Sequence, residues 1–329
     1  MPHTSEYLLD VQNLTVKFAL RHEDLTAVND VTFTLKRGER LGLVGESGAG
    51  KSVTGFSIIN LISKPGFISD GAVLFEGHDL VTADAETLRH IRGNRISMIF
   101  QDPMMTLNPV LTVGEQMLET ILAHKKVTKA EAREIALEKL RKVYIPSPEK
   151  RLAQYPHEFS GGMRQRIVIA IALLTDPALI IADEPTTALD VTIQAEIMAL
   201  LLELCESEQM GLILITHDLG VVSQVTQKIA VMYAGRVVEM GDTAAVVAAP
   251  QHPYTRGLLA ALPQGDPNHR GQRRRLNQIP GSMPSLSEIA HGICPFYNRC
   301  ELCIDTCRTS RPRLLPKQSG ELVACHLLD

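Results

Sequence analysis

The chain has 329 residues, 45% of them hydrophobic and 21% charged, with a formal net charge of −4, an ordinary globular composition that can bury one large core or two smaller ones. That charge argues against a nucleic-acid-binding surface, which shows as a basic excess. No apolar run approaches the about 18 residues needed to cross a bilayer, since the longest, 167–174, is closed by Arg166 and by Thr175-Asp176-Pro177. The start, Met1-Pro2-His3-Thr4-Ser5-Glu6, has neither the basic nor the apolar region of a signal peptide. The expectation is a soluble, cytoplasmic chain able to dock on a membrane partner.

Residues 8–18 and 27–35 alternate apolar and polar, which predicts antiparallel strands, and Lys36-Arg37-Gly38-Glu39 predicts the turn into the next strand. Phe18 stands at a strand end with two readings, stacking on a nucleobase or closing a core. Arg40-Leu41-Gly42-Leu43-Val44 predicts a buried parallel strand, and 53–62 predicts a helix. Between them lies Gly45-Glu46-Ser47-Gly48-Ala49-Gly50-Lys51-Ser52, a G-x-x-x-x-G-K-S phosphate-binding loop in its proper strand–turn–helix setting. Glycines let the backbone approach an anion, and the helix N-terminus presents free N–H groups and the positive dipole end. Lys51 is expected on the β- and γ-phosphates and Ser52 on Mg²⁺, so the chain is expected to bind a nucleoside triphosphate, ATP.

Further strands are expected at 72–75 and 96–100, the second ending at Gln101, placed to touch both Mg²⁺ and the attacking water. Residues 112–143 turn helical, with a capping box at Thr128-Lys129-Ala130-Glu131 and Ala132, Ala136, Leu140 and Val143 on one face. Phe159-Ser160-Gly161-Gly162-Met163-Arg164-Gln165 opens a helix that Ser160 can cap. The apolar strand beginning at Leu179 ends in Asp183-Glu184, where Asp183 is expected in the Mg²⁺ shell and Glu184 as the base for the attacking water. The strand 211–216 ends at His217, the expected γ-phosphate contact.

The order of phosphate loop, Gln101, Ser160-Gly161-Gly162, Asp183-Glu184, Asp190 and His217 resembles the ATP-binding subunit of ABC transporters over about residues 8–250. Walker A, Q-loop, signature, Walker B, D-loop and H-loop are all present, with Phe159 where a Leu commonly precedes the signature serine. Beyond them, His252-Pro253-Tyr254-Thr255-Arg256-Gly257-Leu258-Leu259, Pro263, Ile279-Pro280-Gly281-Ser282-Met283-Pro284 and the late cysteines are similar to the extension of oligopeptide/dipeptide importer ATPases. The resemblance implies an α/β fold with a RecA-like parallel core, a small antiparallel subdomain and a helical subdomain at about 103–160. It implies an ATPase domain at 1–250 and a Cys-rich C-terminal extension at 251–329.

It further implies head-to-tail pairing with a second, related ATP-binding subunit, in which Ser160, Gly161, Gly162 and Gln165 contact ATP held by the partner and Asp190 links the two sites. Two transmembrane permease subunits and a periplasmic or extracellular peptide-binding protein complete the implied assembly, at the cytoplasmic face of the inner membrane. Peptide is the implied cargo; nickel, glutathione or antimicrobial peptides are alternatives within the family, and a soluble non-transport ABC ATPase is the alternative outside it. Cys294, Cys300, Cys307 and Cys325 suit a [4Fe–4S] cluster or structural Zn²⁺; the loose spacing and the resemblance favour the cluster, with Cys303 a substitute ligand or a bystander. Arg273-Arg274-Arg275 is expected on a solvated linker.

Overall fold

Buried parallel strands need both faces covered, and their sequences here are continuous apolar runs rather than alternating ones. The computed structural model describes residues 6–187, 189–262, 277–289, 292–318 and 320–328; Arg273-Arg274-Arg275 and Pro263 lie outside them. The chain divides into two units. One holds residues up to Asp10, Thr34–Arg40 and Leu74–Ile215; the other holds Val11–Phe33, Leu41–Val73 and Thr216 onward.

In the first unit, strands Ile96–Ile99, Leu179–Asp183 and Gly211–Thr216 run parallel, with Met98 opposite Ile181 and Ile181 opposite Ile213. Every residue of Leu179–Asp183 is buried, the terminal aspartate included. Helices pack around them. The expected helical stretch at 112–143 is two helices, Val113–His124 and Lys129–Lys142, each opened by a capping box, at Thr112/Glu115 and at Thr128/Glu131. Both boxes have the T-x-x-E spacing, although only the second was expected from sequence, and the break at 125–128 ends the first helix. Ala132, Ala136, Leu140 and Val143 are each 0% exposed, as the helical spacing predicts. Lys139 and Lys125 both bind Asp176, at 2.5 and 2.9 Å, so one carboxylate just past helix Gly161–Ala172 ties down both helices.

In the second unit, strands Leu9–Ala19, Asp24–Leu35 and Gly66–Phe75 form the expected small sheet, the last beginning six residues before the predicted start at Ala72. Phe18 is half-buried, and a Cβ at Gly66 would lie 2.8 Å from its Cε1, so the ring rests on that glycine. Strand Arg40–Val44 pairs in parallel with Lys228–Tyr233, Val44 opposite Val231, and Lys228–Tyr233 pairs antiparallel with Arg236–Asp242. The late sequence joins this sheet: Leu322–Val323 pairs with Glu239–Met240, and Leu315–Pro316 pairs with Leu322–Val323. These two-residue strands carry no periodic signal, and the sequence does not announce them.

Candidate functional site

The phosphate loop follows strand Arg40–Val44 and leads into helix Lys51–Ile58, which stops four residues short of the predicted end at Ile62. Two of its glycines are required by geometry. A Cβ at Gly45 would stand 2.3 Å from the Met232 carbonyl oxygen, and Gly50, at φ +97°, would put one 2.8 Å from the Ala27 carbonyl. Ser47 and Gly48 are exposed, Gly50 and Ser52 half-buried, and Ala49 buried. Lys51 is 5% exposed and its ammonium donates to the carbonyls of Gly45 (2.8 Å) and Glu46 (3.0 Å), which puts a buried cation beneath the loop. The cradle fits a polyphosphate: glycine backbone closely packed, a helix N-terminus and a lysine ammonium at one place.

Strand Leu179–Asp183 delivers two carboxylates with different surroundings. Asp183 is 4% exposed. Glu184, in a left-handed backbone conformation at φ +44°, has its N–H bonded to the Ile215 carbonyl at 2.8 Å. Such a conformation costs a non-glycine residue of order 1 kcal/mol and persists where its surroundings over-determine it. The carboxylate Oε2 accepts from Gln101 Nε2 at 3.0 Å and from Thr187 Oγ1 at 2.9 Å. The structure therefore brings together Gln101 and Glu184, expected separately from sequence, and adds Thr187, whose donor role sequence reasoning missed. The three-residue spacing from Glu184 to Thr187 was the available signal, because the turn N–H of Thr187 also bonds the Glu184 carbonyl.

Ser160 caps helix Gly161–Ala172, accepting from the Met163 N–H at 3.4 Å. Ser160 and Gly161 are exposed and Gly162 half-buried, so the N-terminal face of that helix is open. Gln165 differs from its expected neighbours. It is 1% exposed, and neither polar atom of its amide has a hydrogen-bond partner. Asp190 is exposed and caps helix Val191–Glu208 through the Ile193 N–H at 3.0 Å. His217 is exposed just beyond strand Gly211–Thr216.

Cys294, Cys307 and Cys325 are buried and Cys300 and Cys303 half-buried, and none of them forms a disulfide. Burial pushes the Cys294 thiol up to about 12, and the neighbouring Cys307, Cys300 and Cys325 add to that shift. The four predicted cysteines thus gather in one place, with the Cys294 N–H on the Cys307 carbonyl at 3.0 Å. Their placement does not reach the expected metal centre: among the described residues no group of three or more His, Cys, Asp or Glu is arranged to hold a metal ion.

Glu46 is bound by residues far along the chain. Its N–H donates to the Tyr254 hydroxyl at 2.9 Å, and its carboxylate receives Arg299 Nη1 at 2.7 Å and Nη2 at 3.0 Å. Sequence reasoning assigned neither partner, and no spacing rule connects residues 253 positions apart.

Residues 28–187 match the family model described as ABC transporter, and 238–307 match that described as oligopeptide/dipeptide transporter, C-terminal region. A probable peptide ABC transporter ATP-binding protein of Sinorhizobium fredii is 49% identical over 98% of this chain and 95% of its own length. The oligopeptide transport ATP-binding proteins OppD of Salmonella typhimurium and AppD of Bacillus subtilis are 48% and 47% identical, each over 98% of this chain and over 95% and 97% of their own. A dimeric bacterial ABC transporter cassette is similar in structure, with a TM-score of 0.64 and 29% identity, over 71% of this chain and 98% of that one. With its phosphate loop, its strand-end carboxylates and these relatives, the chain belongs to the ABC transporter ATP-binding proteins of the oligopeptide-transport type.

Proposed function

We propose that this ATPase drives peptide import, and that it works at the cytoplasmic face of the inner membrane on two permease subunits fed by a periplasmic or extracellular peptide-binding protein. Family membership supports this reading, as do relatives whose names specify peptide or oligopeptide transport. Among the described residues no helix is long and apolar enough to cross a membrane, so the reading needs a separate membrane partner.

The reading assigns roles residue by residue. The loop Gly45, Glu46, Ser47, Gly48, Ala49 and Gly50 cradles the phosphates, Lys51 neutralises the β- and γ-phosphates, and Phe18 stacks on the base. Ser52, Gln101 and Asp183 hold Mg²⁺, which when bound screens the charge on the transferring phosphoryl group. Glu184 takes the proton of the attacking water, and His217 contacts the γ-phosphate. Ser160, Gly161 and Gly162, with Gln165 behind them, meet ATP held by the second, related ATP-binding subunit, and Asp190 links the sites. Residues 1–250 form the ATPase domain and 251–329 the extension. The finer assignment of a [4Fe–4S] cluster to Cys294, Cys300, Cys307 and Cys325, with Zn²⁺ as the alternative, is supported by that donor set, its loose spacing and the family resemblance. Iron and sulfide in equal amounts in anaerobically purified protein would support it; their absence would remove it.

The observation that carries the hydrolytic reading is the Glu184 carboxylate, held by Gln101 and Thr187 at the end of a buried strand. Glu184→Gln is expected to bind ATP with wild-type affinity while kcat falls by a factor of about 10² or more. Undiminished turnover would contradict the role given to Glu184.

A further inference from the structure

The peptide-importer-type C-terminal segment reaches back to the phosphate loop, and its contact falls on Glu46. Arg299 forms a two-pronged pair with the Glu46 carboxylate, and its third donor, Nε, binds the Pro280 carbonyl at 2.8 Å. Tyr254 receives the Glu46 N–H. These anchors cannot swing freely. The Arg299 side chain is 5% exposed, with its guanidinium 5.7 Å above the Tyr233 ring and 6.0 Å from the Phe296 ring. Tyr254 is 0% exposed and meets Tyr233 edge-on at 4.7 Å. Tyr233 ends the strand paired in parallel with the one that delivers the loop. Further along, a Cβ at Gly48 would find Met283 as its neighbour at 3.8 Å.

The pairing acts on the loop in two ways. A glycine-rich loop is costly to order, and tying down Glu46 in advance removes part of that cost from nucleotide binding. A carboxylate in a phosphate loop also repels the polyphosphate it should admit, and the paired guanidinium cancels that charge through short, charge-assisted bonds. We propose that Arg299 and Tyr254 are positioning residues for nucleotide binding: they fix the phosphate loop through Glu46 and neutralise its carboxylate, so that the C-terminal segment sets the affinity for the triphosphate. This inference rests on the nucleotide site proposed above and gives a distal part of the chain a defined share in it.

The test uses the full-length chain, titrated with a fluorescent ATP analogue and assayed for hydrolysis, with Lys51→Ala as the control. Arg299→Ala is expected to raise the ATP KM and the analogue Kd about tenfold, with kcat within about twofold. Tyr254→Phe is expected to raise KM about threefold, and Arg299→Lys to restore part of the loss. The discriminating variant is Glu46→Gln/Arg299→Ala: with the uncompensated carboxylate gone, it should bind ATP more tightly than Arg299→Ala alone. An unchanged KM in Arg299→Ala, or a double variant no better than the single, would overturn the proposal. Should Arg299→Ala fail to fold, Arg299→Lys and Tyr254→Phe decide it, and wild-type KM in both would overturn it. Undiminished ATP binding by Lys51→Ala would instead indict the nucleotide site itself.

Discussion

Glu184 shows how the surroundings fix a single side chain. Its backbone takes a conformation unfavourable for an L side chain, and two donors from different elements converge on one carboxylate oxygen. In the function proposed above, Thr187 acts on the reaction only through this orientation. Thr187→Val, which keeps the shape and removes the donor, is expected to lower kcat about tenfold while the ATP KM stays put. Steady-state kinetics with ATP as the varied substrate checks this, and a shift in KM with unchanged kcat would assign Thr187 to binding instead. The place of Lys51, by contrast, was legible from sequence, because its motif fixes it at the start of a helix behind a glycine turn.

Elements are tied together by charges whose partners the sequence does not name. Asp176 faces both Lys125 and Lys139 across two helices. Burial alone would raise its carboxyl, but the hydrogen-bonded ammonium groups outweigh that and hold it below the 3.8 of an unperturbed aspartate. A depressed carboxylate contributes stability that is complete above the unfolded value and is lost as the pH falls through the folded one. Asp176→Asn keeps a side chain that tolerates the φ of +56° found there, so it tests the charge. The wild type should melt above the variant at neutral pH, and the gap should close as the pH falls below 3.8 and through the depressed folded value; a constant gap would show that the ion pairs are not its source. Glu239 is a second such tie. It is 0% exposed, accepts the N–H groups of Gln251 at 2.7 Å and His252 at 3.0 Å, and so anchors the entry to helix Pro253–Ala260 that carries Tyr254. Burial raises its carboxyl above the ordinary carboxylate value, and the hydrogen bonds that pull the other way do not cancel that rise. Glu239→Ala leaves two buried N–H groups unmet and should cost about 3 kcal/mol by denaturant unfolding. A loss within experimental error would mean that the helix entry holds without it.

At the scale of the whole chain, the legible parts were those with local signals. Parallel strands read as apolar runs, Thr128/Glu131 read as a helix start, and the phosphate loop and Asp183-Glu184 read as chemistry. What escaped was non-local. Arg299 lies far from Glu46 along the chain, and nothing about an arginine between two cysteines announces its partner. Residues 322–323 become a strand because the Arg236–Asp242 edge offers them hydrogen bonds, a tertiary cause. Gln165 read as part of the signature, yet its side chain is buried in helix Gly161–Ala172 at 1% exposure. The cysteines gather as expected, but their placement stops short of a metal centre.

The central claim, that ATP hydrolysis by this chain drives peptide import, is tested most directly in the assembled transporter, reconstituted in vesicles with its permease subunits and binding protein. Peptide-loaded binding protein should raise the ATPase rate and bring peptide into the vesicle lumen, and Glu184→Gln in this chain should suppress both together. Hydrolysis indifferent to the loaded binding protein, or peptide uptake that survives Glu184→Gln, would contradict it.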